Sequence, residues 1–246
     1  MSDTLTARQT QVLKSLIDEY IETAIPVGSE ALEKKYDLGV SPATIRNEMM
    51  MLTKTGYLRQ PHTSAGRVPS PKAMKFYIDQ LMEEKQMSVT DEVRAKEDVW
   101  DFRGDTNSLL REAAQALASQ TDSLSIAAID DGHIWHSGYS HIFAHPEFAD
   151  VDVCTNIFGM LEEASQISEL FFKKMSGIST VEVVFGEELG WSGMSPVSIV
   201  GTTFNIDGRV AALGIVGPTR ISYQTVIPVL RYFGNLVQEV AAASRA

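Results

Sequence analysis

The feature that most constrains this chain is a basic island between Ser41 and Phe76. It carries Arg46, Lys54, Arg59, Arg67, Lys72 and Lys75 against one acid, Glu48, so 6 − 1 = +5 inside a sequence whose formal net charge is −11. Contact with phosphates requires such a local reversal, because affinity for nucleic acid follows the patch that meets it and not the total. The same stretch is punctuated like a helix. Ser41 is a good N-cap, Pro42 stands at the first helical position where its missing N–H costs nothing, and Gly56 provides a left-handed stop. Ile45, Met49 and Leu52 recur at i, i+4 and i+7 and predict a buried stripe. The opposite side then carries Ala43, Asn47, Met50 and Lys54, flanked by Thr44 and Arg46. Arginine can chelate the O6/N7 edge of guanine and asparagine the N6/N7 edge of adenine, and both fall in the first turns, where recognition helices meet base edges. An ordinary amphipathic helix gives the same pattern, so the flanking sequence must decide.

Upstream, Val12, Leu13, Leu16, Ile17, Tyr20 and Ile21 form a helical stripe through roughly Arg8 to Thr23, and Ser29 is placed to cap a short helix ending near Tyr36. Asp37-Leu38-Gly39-Val40 reads as the turn before the recognition helix, with Leu38 and Val40 available to plug a three-helix core. Downstream, Tyr57-Leu58-Arg59-Gln60 and Arg67-Val68-Pro69 read as two short strands around the turn formers Pro61 to Gly66, a loop that should project as a wing. Arg59 and Arg67 flank it, within reach of phosphates or a minor groove. Ser70 and Pro71 then open another helix, expected to run to about Lys85.

The run Ala43-Thr44-Ile45-Arg46-Asn47-Glu48-Met49, then Gly56-Tyr57-Leu58, then Gln60-Pro61-His62-Thr63-Ser64-Ala65-Gly66-Arg67-Val68-Pro69, resembles the heat-inducible transcription repressor family HrcA of bacteria. Similar traces continue at Leu109 to Ala114, at Pro146-Glu147-Phe148, and at Leu213 to Arg220 followed by Tyr223, so the resemblance spans nearly the whole chain. It implies a second domain with a GAF-like fold, a homodimer on an inverted-repeat operator ahead of chaperone genes, and an active population that depends on the GroE chaperonin. Members of that family also carry an inserted subdomain between the early strands of the GAF-like part and the Pro-Glu-Phe segment. Here about six residues separate Tyr139 from Pro146, so the insert is expected to be missing.

The 246 residues leave room for two domains, and 44% hydrophobic residues suffice for a core in each. Residues 1 to 86 hold 11 Lys or Arg and 11 Asp or Glu, so the whole excess of acid belongs to the remainder. The expected division is a winged helix-turn-helix DNA-binding domain over residues 1–86, a linker over 87–106, and a GAF-like dimerisation and regulatory domain over 107–246, which makes the chain α+β. No hydrophobic run approaches the roughly 20 residues of a membrane span and the N-terminus lacks a signal sequence, so the expected location is the cytoplasm with no membrane partner. The single cysteine, Cys154, excludes an intrachain disulfide and sits in an apolar helical run.

Beyond the linker the sequence predicts a helix at Leu109–Ala118, an alternating strand from Ser123 to Ile129, a turn at Asp130-Asp131-Gly132 and a returning strand from His133 to Tyr139. A long helix should run from about Val151 to Met175, followed by strands near Val181–Phe185, Val197–Phe204 and Val210–Val216, the last two joined as a hairpin. A final helix from Ser222 to about Ala243 contains Pro228. With the insert gone, the helix near Leu109–Ala118 or the final helix is expected to supply the apolar dimer contact.

Catalytic readings find little support. His133, His136, His141 and His145 are the densest cluster of possible ligands, but their spacing matches no tight zinc pattern, and no cofactor or metal is expected. Glu187-Glu188 offers a carboxylate pair whose members would normally diverge on a loop. No nucleophile elbow, Walker loop or dinucleotide fingerprint is present, so the chain reads as no enzyme. Gly217-Pro218-Thr219-Arg220 admits two readings, an anion cradle at the start of the last helix or a strand end with a structural ion pair on Arg220, the second being preferred. The candidate DNA-contacting residues are Thr44, Arg46, Asn47 and Lys54 on the helix, Arg59, His62, Thr63 and Arg67 on the wing, and Lys72 after it. The expected function is a dimeric DNA-binding repressor of heat-shock genes; the alternative is a one-component regulator that senses a small molecule in its GAF-like domain.

Overall fold

The structure is a computed structural model that describes residues 5–175, 177 and 180–244. The chain divides into two compact units, Met1–Glu83 and Glu84–Ala246.

In the first unit, α1 (Ala7–Thr23), α2 (Ser29–Lys35) and α3 (Pro42–Lys54) are followed by β1 (Leu58–Arg59), β2 (Val68–Pro69) and α4 (Pro71–Gln80). A capping box opens α1: the Gln9 amide donates to Thr6 Oγ1 at 3.2 Å and the Thr6 amide to Gln9 Oε1 at 3.1 Å. Val12, Leu13, Leu16 and Ile17 of α1, Leu32 of α2 and Ile45 and Leu52 of α3 are all completely buried and form the core. The Tyr77 hydroxyl donates to Asp18 at 2.7 Å and so ties α4 to α1. Three expectations differ in detail. Gly28, not Ser29, occupies the N-cap of α2, with no side-chain cap, so Ser29 is the first helical residue. Leu38 and Val40 are half-buried instead of filling the core. Helix α4 ends at Gln80, five residues early, where Leu81 leaves helical geometry.

The second unit holds α5 (Val89–Trp100), α6 (Thr106–Thr121), β3 (Leu124–Ile129), β4 (Ile134–Ser137), α7 (Tyr139–Ile142), α8 (Val151–Glu162), α9 (Ala164–Glu169), β5 (Val181–Phe185), α10 (Gly186–Leu189), β6 (Val197–Ile206), β7 (Arg209–Pro218) and α11 (Tyr223–Ala243). Its strands form a five-stranded antiparallel sheet in the order β4-β3-β7-β6-β5, flanked by helices. The β6–β7 hairpin turns at Asp207 and Gly208, both at positive φ (52° and 79°), the conformation that a two-residue loop needs to match strand twist. Against one face lie α6 and α11: a Cβ on Gly234 would stand 3.2 Å from Thr202, and the Ser125 hydroxyl donates to the Ala114 carbonyl. Against the other lie α8, α9 and a π-helical turn over Leu170–Lys174, sharing a core with Leu124, Ile126, Ile199 and Val216. That second layer explains why β3, expected to alternate, is buried at all six positions.

The cross-strand pair Gly201 and Gly214 seats Phe171 of that π-helical turn. A Cβ on either glycine would lie 2.7 Å from the ring carbon Cε1, so the sheet gives up two side chains to admit one completely buried ring. The helix expected to run unbroken from Val151 to Met175 is therefore interrupted, at Glu163 and again from Leu170, as the chain bends to lay Phe171 on the sheet.

The linker expected over 87–106 is mostly α5, capped by Ser88. Ala95 and Val99 are buried, the Tyr232 hydroxyl donates to the Glu92 carbonyl at 3.0 Å and Lys96 pairs with Glu239 at 2.9 Å, so the segment belongs to the second unit. Asp105 caps α6, and the Ser108 hydroxyl and amide hold its carboxyl below the usual range. The apolar faces of α6 and α11 are spent on the unit's own core, Leu109, Leu110, Leu117, Leu230 and Phe233 being completely buried. The expectation that either helix supplies an apolar dimer contact therefore loses its basis. Exposed apolar side chains lie instead on α5 (Val89, Val93, Trp100) and around Tyr139, Phe143 and Val151. Cys154 is buried with Sγ 3.0 Å from the Phe148 carbonyl, and burial pushes its thiol up, away from reactivity.

Candidate nucleic-acid interface

Helix α3 divides as its sequence pattern requires. Ser41 Oγ accepts from the Thr44 amide at 3.3 Å, Ile45, Met49 and Leu52 are buried, and Gly56 follows at φ +78°. The burial of that one stripe leaves Ala43, Arg46, Asn47, Met50 and Lys54 exposed, with Thr44 half-buried and its hydroxyl 3.1 Å from Ser41. Arg46 and Asn47 thus stand side by side in the first turns of a rigidly anchored helix.

The wing is built on an exchange of backbone hydrogen bonds between Val27 and Arg67, at 2.9 and 2.8 Å. Gly66 permits it: a Cβ there would sit 2.5 Å from the Val27 carbonyl carbon. Gln60 Nε2 donates to the carbonyls of Thr63 at 2.9 Å and Ala65 at 3.1 Å, which holds the loop in shape, and His62 is exposed at the tip. A cleft of about 470 Å³ runs between α3 and the wing, and Arg46, Met50, Gln60, Thr63 and Arg67 line it. Three of the expected contact residues, Arg46, Thr63 and Arg67, therefore converge on one concave surface.

Others have structural work as well. Arg67 is half-buried, with Nε donating to Thr53 Oγ1 at 3.2 Å, so its guanidinium fastens the wing to α3. Lys72 Nζ donates to the Thr55 carbonyl at 2.8 Å and stands 4.2 Å from the centre of the Tyr57 ring, a cation at the C-terminal end of α3. Arg59 is exposed on β1, and Lys54 ends α3. Lys72→Ala is accordingly expected to lower the melting temperature of the full chain by about 1–3 °C, from lost capping and cation–π contact; an unchanged melting curve would show the contact to be idle. Sequence reasoning passed over Gln60, although its place inside the wing decapeptide was the signal for it.

The remaining motifs resolve into structure. Arg220 and Glu147 form a half-buried bidentate pair, Nε to Oε1 at 2.5 Å and Nη2 to Oε2 at 3.1 Å, so the Gly217–Arg220 segment takes the ion-pair reading. Burial, followed by Arg220, pushes His145 below the ordinary imidazole value. Glu188 caps its own one-turn helix by accepting from the Phe185 amide at 3.1 Å. The four histidines have separate neighbours: His133 meets Asp131, His136 the Tyr139 hydroxyl, His141 approaches Asp122 at 4.0 Å and His145 stands edge-on to Phe148. Among the described residues no three His, Cys, Asp or Glu side chains are grouped to hold a metal, and no helix is long and apolar enough to cross a membrane.

Residues 50–227, well over half of the chain, match the family described as HrcA protein C terminal domain. The chain belongs to the HrcA family. A relative from Thermoanaerobacter pseudethanolicus, named heat-inducible transcription repressor HrcA, is 27% identical over 320 aligned positions that cover 89% of this chain and 92% of that one. A second of the same name from Carboxydothermus hydrogenoformans is 25% identical, covering 95% and 97%. Because 320 aligned positions exceed 246 residues, the first HrcA relative has at least 320 − 246 = 74 residues with no counterpart here. The loss of a sizeable insert expected from the sequence agrees with that excess, and the one-turn helix α7 now bridges β4 to Pro146. A solved structure described as a hypothetical protein superposes with a TM-score of 0.80 at 17% identity, covering 98% of this chain and all of that one, which establishes a shared fold.

Proposed function

We propose that this HrcA-family chain is a DNA-binding transcriptional repressor of heat-shock chaperone genes, acting in the cytoplasm as a homodimer on an inverted-repeat operator. The observation that carries it is the exposed pair Arg46 and Asn47 on α3, beside a cleft shared with the wing, in a chain whose relatives are named heat-inducible repressors. Two copies are needed because one recognition helix spans too few base pairs for a genomic address, and paired helices match a two-fold site. Double-stranded DNA and a second copy are the partners, and the GroE chaperonin sets the active population by holding partly unfolded chains. The role requires no catalysis. A ligand seated on the sheet face of the GAF-like unit, as in the sensor alternative, is disfavoured because Phe171 and its neighbours fill that face.

Arg46→Ala and Asn47→Ala are each expected to cost about 1–3 kcal/mol of discrimination between operator and scrambled DNA, roughly 5- to 150-fold. Arg59→Ala should instead weaken binding equally on both and reduce the salt slope by about one unit. Titration of both DNAs at several salt concentrations, after a footprint on the DNA upstream of the protein's own gene, separates the two behaviours. Undiminished specificity in both α3 variants would remove α3 as the reading helix.

A further inference from the structure

A proline inside a helix deprives the carbonyl four residues back of its usual donor. In α11 that proline is Pro228 and the carbonyl is that of Gln224, to which the Lys85 amide donates at 2.9 Å. Seven residues further along α11, and so on the same face, Arg231 grips the preceding residue: its Nη1 and Nη2 donate to the Glu84 carboxylate at 2.6 and 2.8 Å and hold that carboxyl below its usual range. Two consecutive residues, Glu84 and Lys85, are therefore pinned along one helix.

Glu84 is also the first residue of the second unit. On the other side of that boundary the Met82 amide donates to the Tyr77 carbonyl at 2.9 Å, so the first unit holds its own chain as far as Met82. Glu83 alone stands between the two anchorages. The step from Met82 to Lys85 can reach at most about 11 Å, at roughly 3.6 Å per residue. Were Glu84 and Lys85 released, the chain would be free up to Ser88, the cap of α5, and its reach would double to about 22 Å.

We infer that Arg231 and Pro228 are positioning residues for operator choice: by pinning Glu84 and Lys85 they keep the tether short, and a short tether fixes the half-site spacing that a dimer accepts. The inference rests on the repressor reading above, with the two copies paired through their second units. Adding three base pairs between half-sites moves one of them about 10 Å along the axis and turns it through about 100°. That displacement uses up the whole reach of a pinned tether, whereas released tethers on two copies add about 22 Å between them, the length of about six base pairs. A wrongly spaced site is thus bound only after the pins let go. The Arg231–Glu84 pair is exposed, which keeps its worth modest: about fivefold in the ratio of held to released tether, and about 25-fold for the two copies of a dimer. Release also dilutes each reading helix, by up to about threefold for a doubled tether, so binding at the proper spacing weakens slightly while discrimination among spacings falls much further.

The test has one arm without DNA and one with it, both on the full-length protein. Trypsin cleavage between Lys85 and Gln86, followed by mass spectrometry, reports the released tether, because cleavage tracks the open population. Arg231→Gln should be cut there about fivefold faster while melting within about 2 °C of the parent. Pro228→Ala returns an N–H that competes for the Gln224 carbonyl, so cleavage should quicken although the melting temperature holds or rises, a combination that a merely stabilising role would not give. The exchanged pair Glu84→Arg with Arg231→Glu should restore slow cleavage. In the second arm the footprinted operator is titrated with its spacer lengthened or shortened by three base pairs. The parent should prefer its own spacing, and Arg231→Gln should reduce that preference by about 25-fold. Unchanged cleavage in both single variants would overturn the pinned tether, and a spacing preference that Arg231→Gln keeps in full would overturn its role in operator choice. A parent that protects no inverted repeat would instead overturn the repressor reading and the spacing role with it, while the cleavage arm still decides whether the tether is held.

Discussion

Phe171→Ala is expected to lower the stability of the second unit by about 3–5 kcal/mol and its melting temperature by about 6–20 °C. The ring is completely buried, and the sheet beneath it is two facing glycines, Gly201 and Gly214. Removal of an ordinary core ring leaves a cavity that neighbouring side chains partly refill. Here two of the nearest neighbours have no side chain, so the void cannot collapse from the sheet side and the cost belongs at the upper end. Phe171→Leu should recover about half of the loss. A complementary substitution, Gly214→Ala, attacks the same contact from the other side, since its Cβ would stand 2.7 Å from the ring carbon where real Cβ atoms do not go. Circular dichroism and calorimetry of the full chain decide it. A shift below about 2 °C for Phe171→Ala would mean that the ring is not the keystone of that face.

That contact also shows what sequence can and cannot reveal. Wherever local rules decide, the elements were legible: Ser41-Pro42 and Gly56 delimit α3 and Ser70-Pro71 opens α4, because capping depends on neighbours a few residues away. Asp207-Gly208 turns its hairpin for the same reason, and the buried stripe of α3 followed from helical period alone. The failures share a different cause. The break at Glu163 and the π-helical turn carrying Phe171 answer to Gly201 and Gly214, some 30 and 43 residues away, and no local pattern announces that a ring will descend onto a glycine pair. Helix α5 was taken for linker because its charged, weakly apolar sequence buries little beyond Ala95 and Val99, and its place is fixed by Glu239 and Tyr232, more than 130 residues on. In the candidate interface, exposure of Arg46 and Asn47 was readable from period, whereas the structural duties of Arg67 toward Thr53 and of Lys72 toward Thr55 depend on how the wing folds back.

Operator binding by the full chain is expected to be lost completely on mild heating, at a temperature where the first unit is still folded. The asymmetry lies in how each unit is held. The first is small, but α1 to α4 close a compact core with a capped start on α1, α3 and α4. The second has a sheet with two edges, β4 and β5, whose residues are half-buried except Phe185, so the edge backbones and the apolar Val181, Val183 and Val184 are the first to become available when packing loosens. If pairing of two copies resides in that unit, its loosening dissolves the dimer, and a dimer lost means an operator lost, because half-site binding by one α3 is too weak to persist. An opened β5 is also the kind of apolar, strand-forming segment that a chaperonin captures; capture lowers the active population by mass action, and release restores it. The measurement is operator binding after graded heating, with and without added GroE chaperonin and nucleotide, beside the fragment Met1–Glu83 monitored for helix content. The fragment should keep its helices at the temperature that abolishes binding by the full chain, hydrogen exchange should rise first in β4 and β5, and chaperonin should restore binding on cooling. If exchange in α3 rises together with that in β5 and chaperonin restores nothing, heat acts on the reading helix itself and the second unit is no thermosensor.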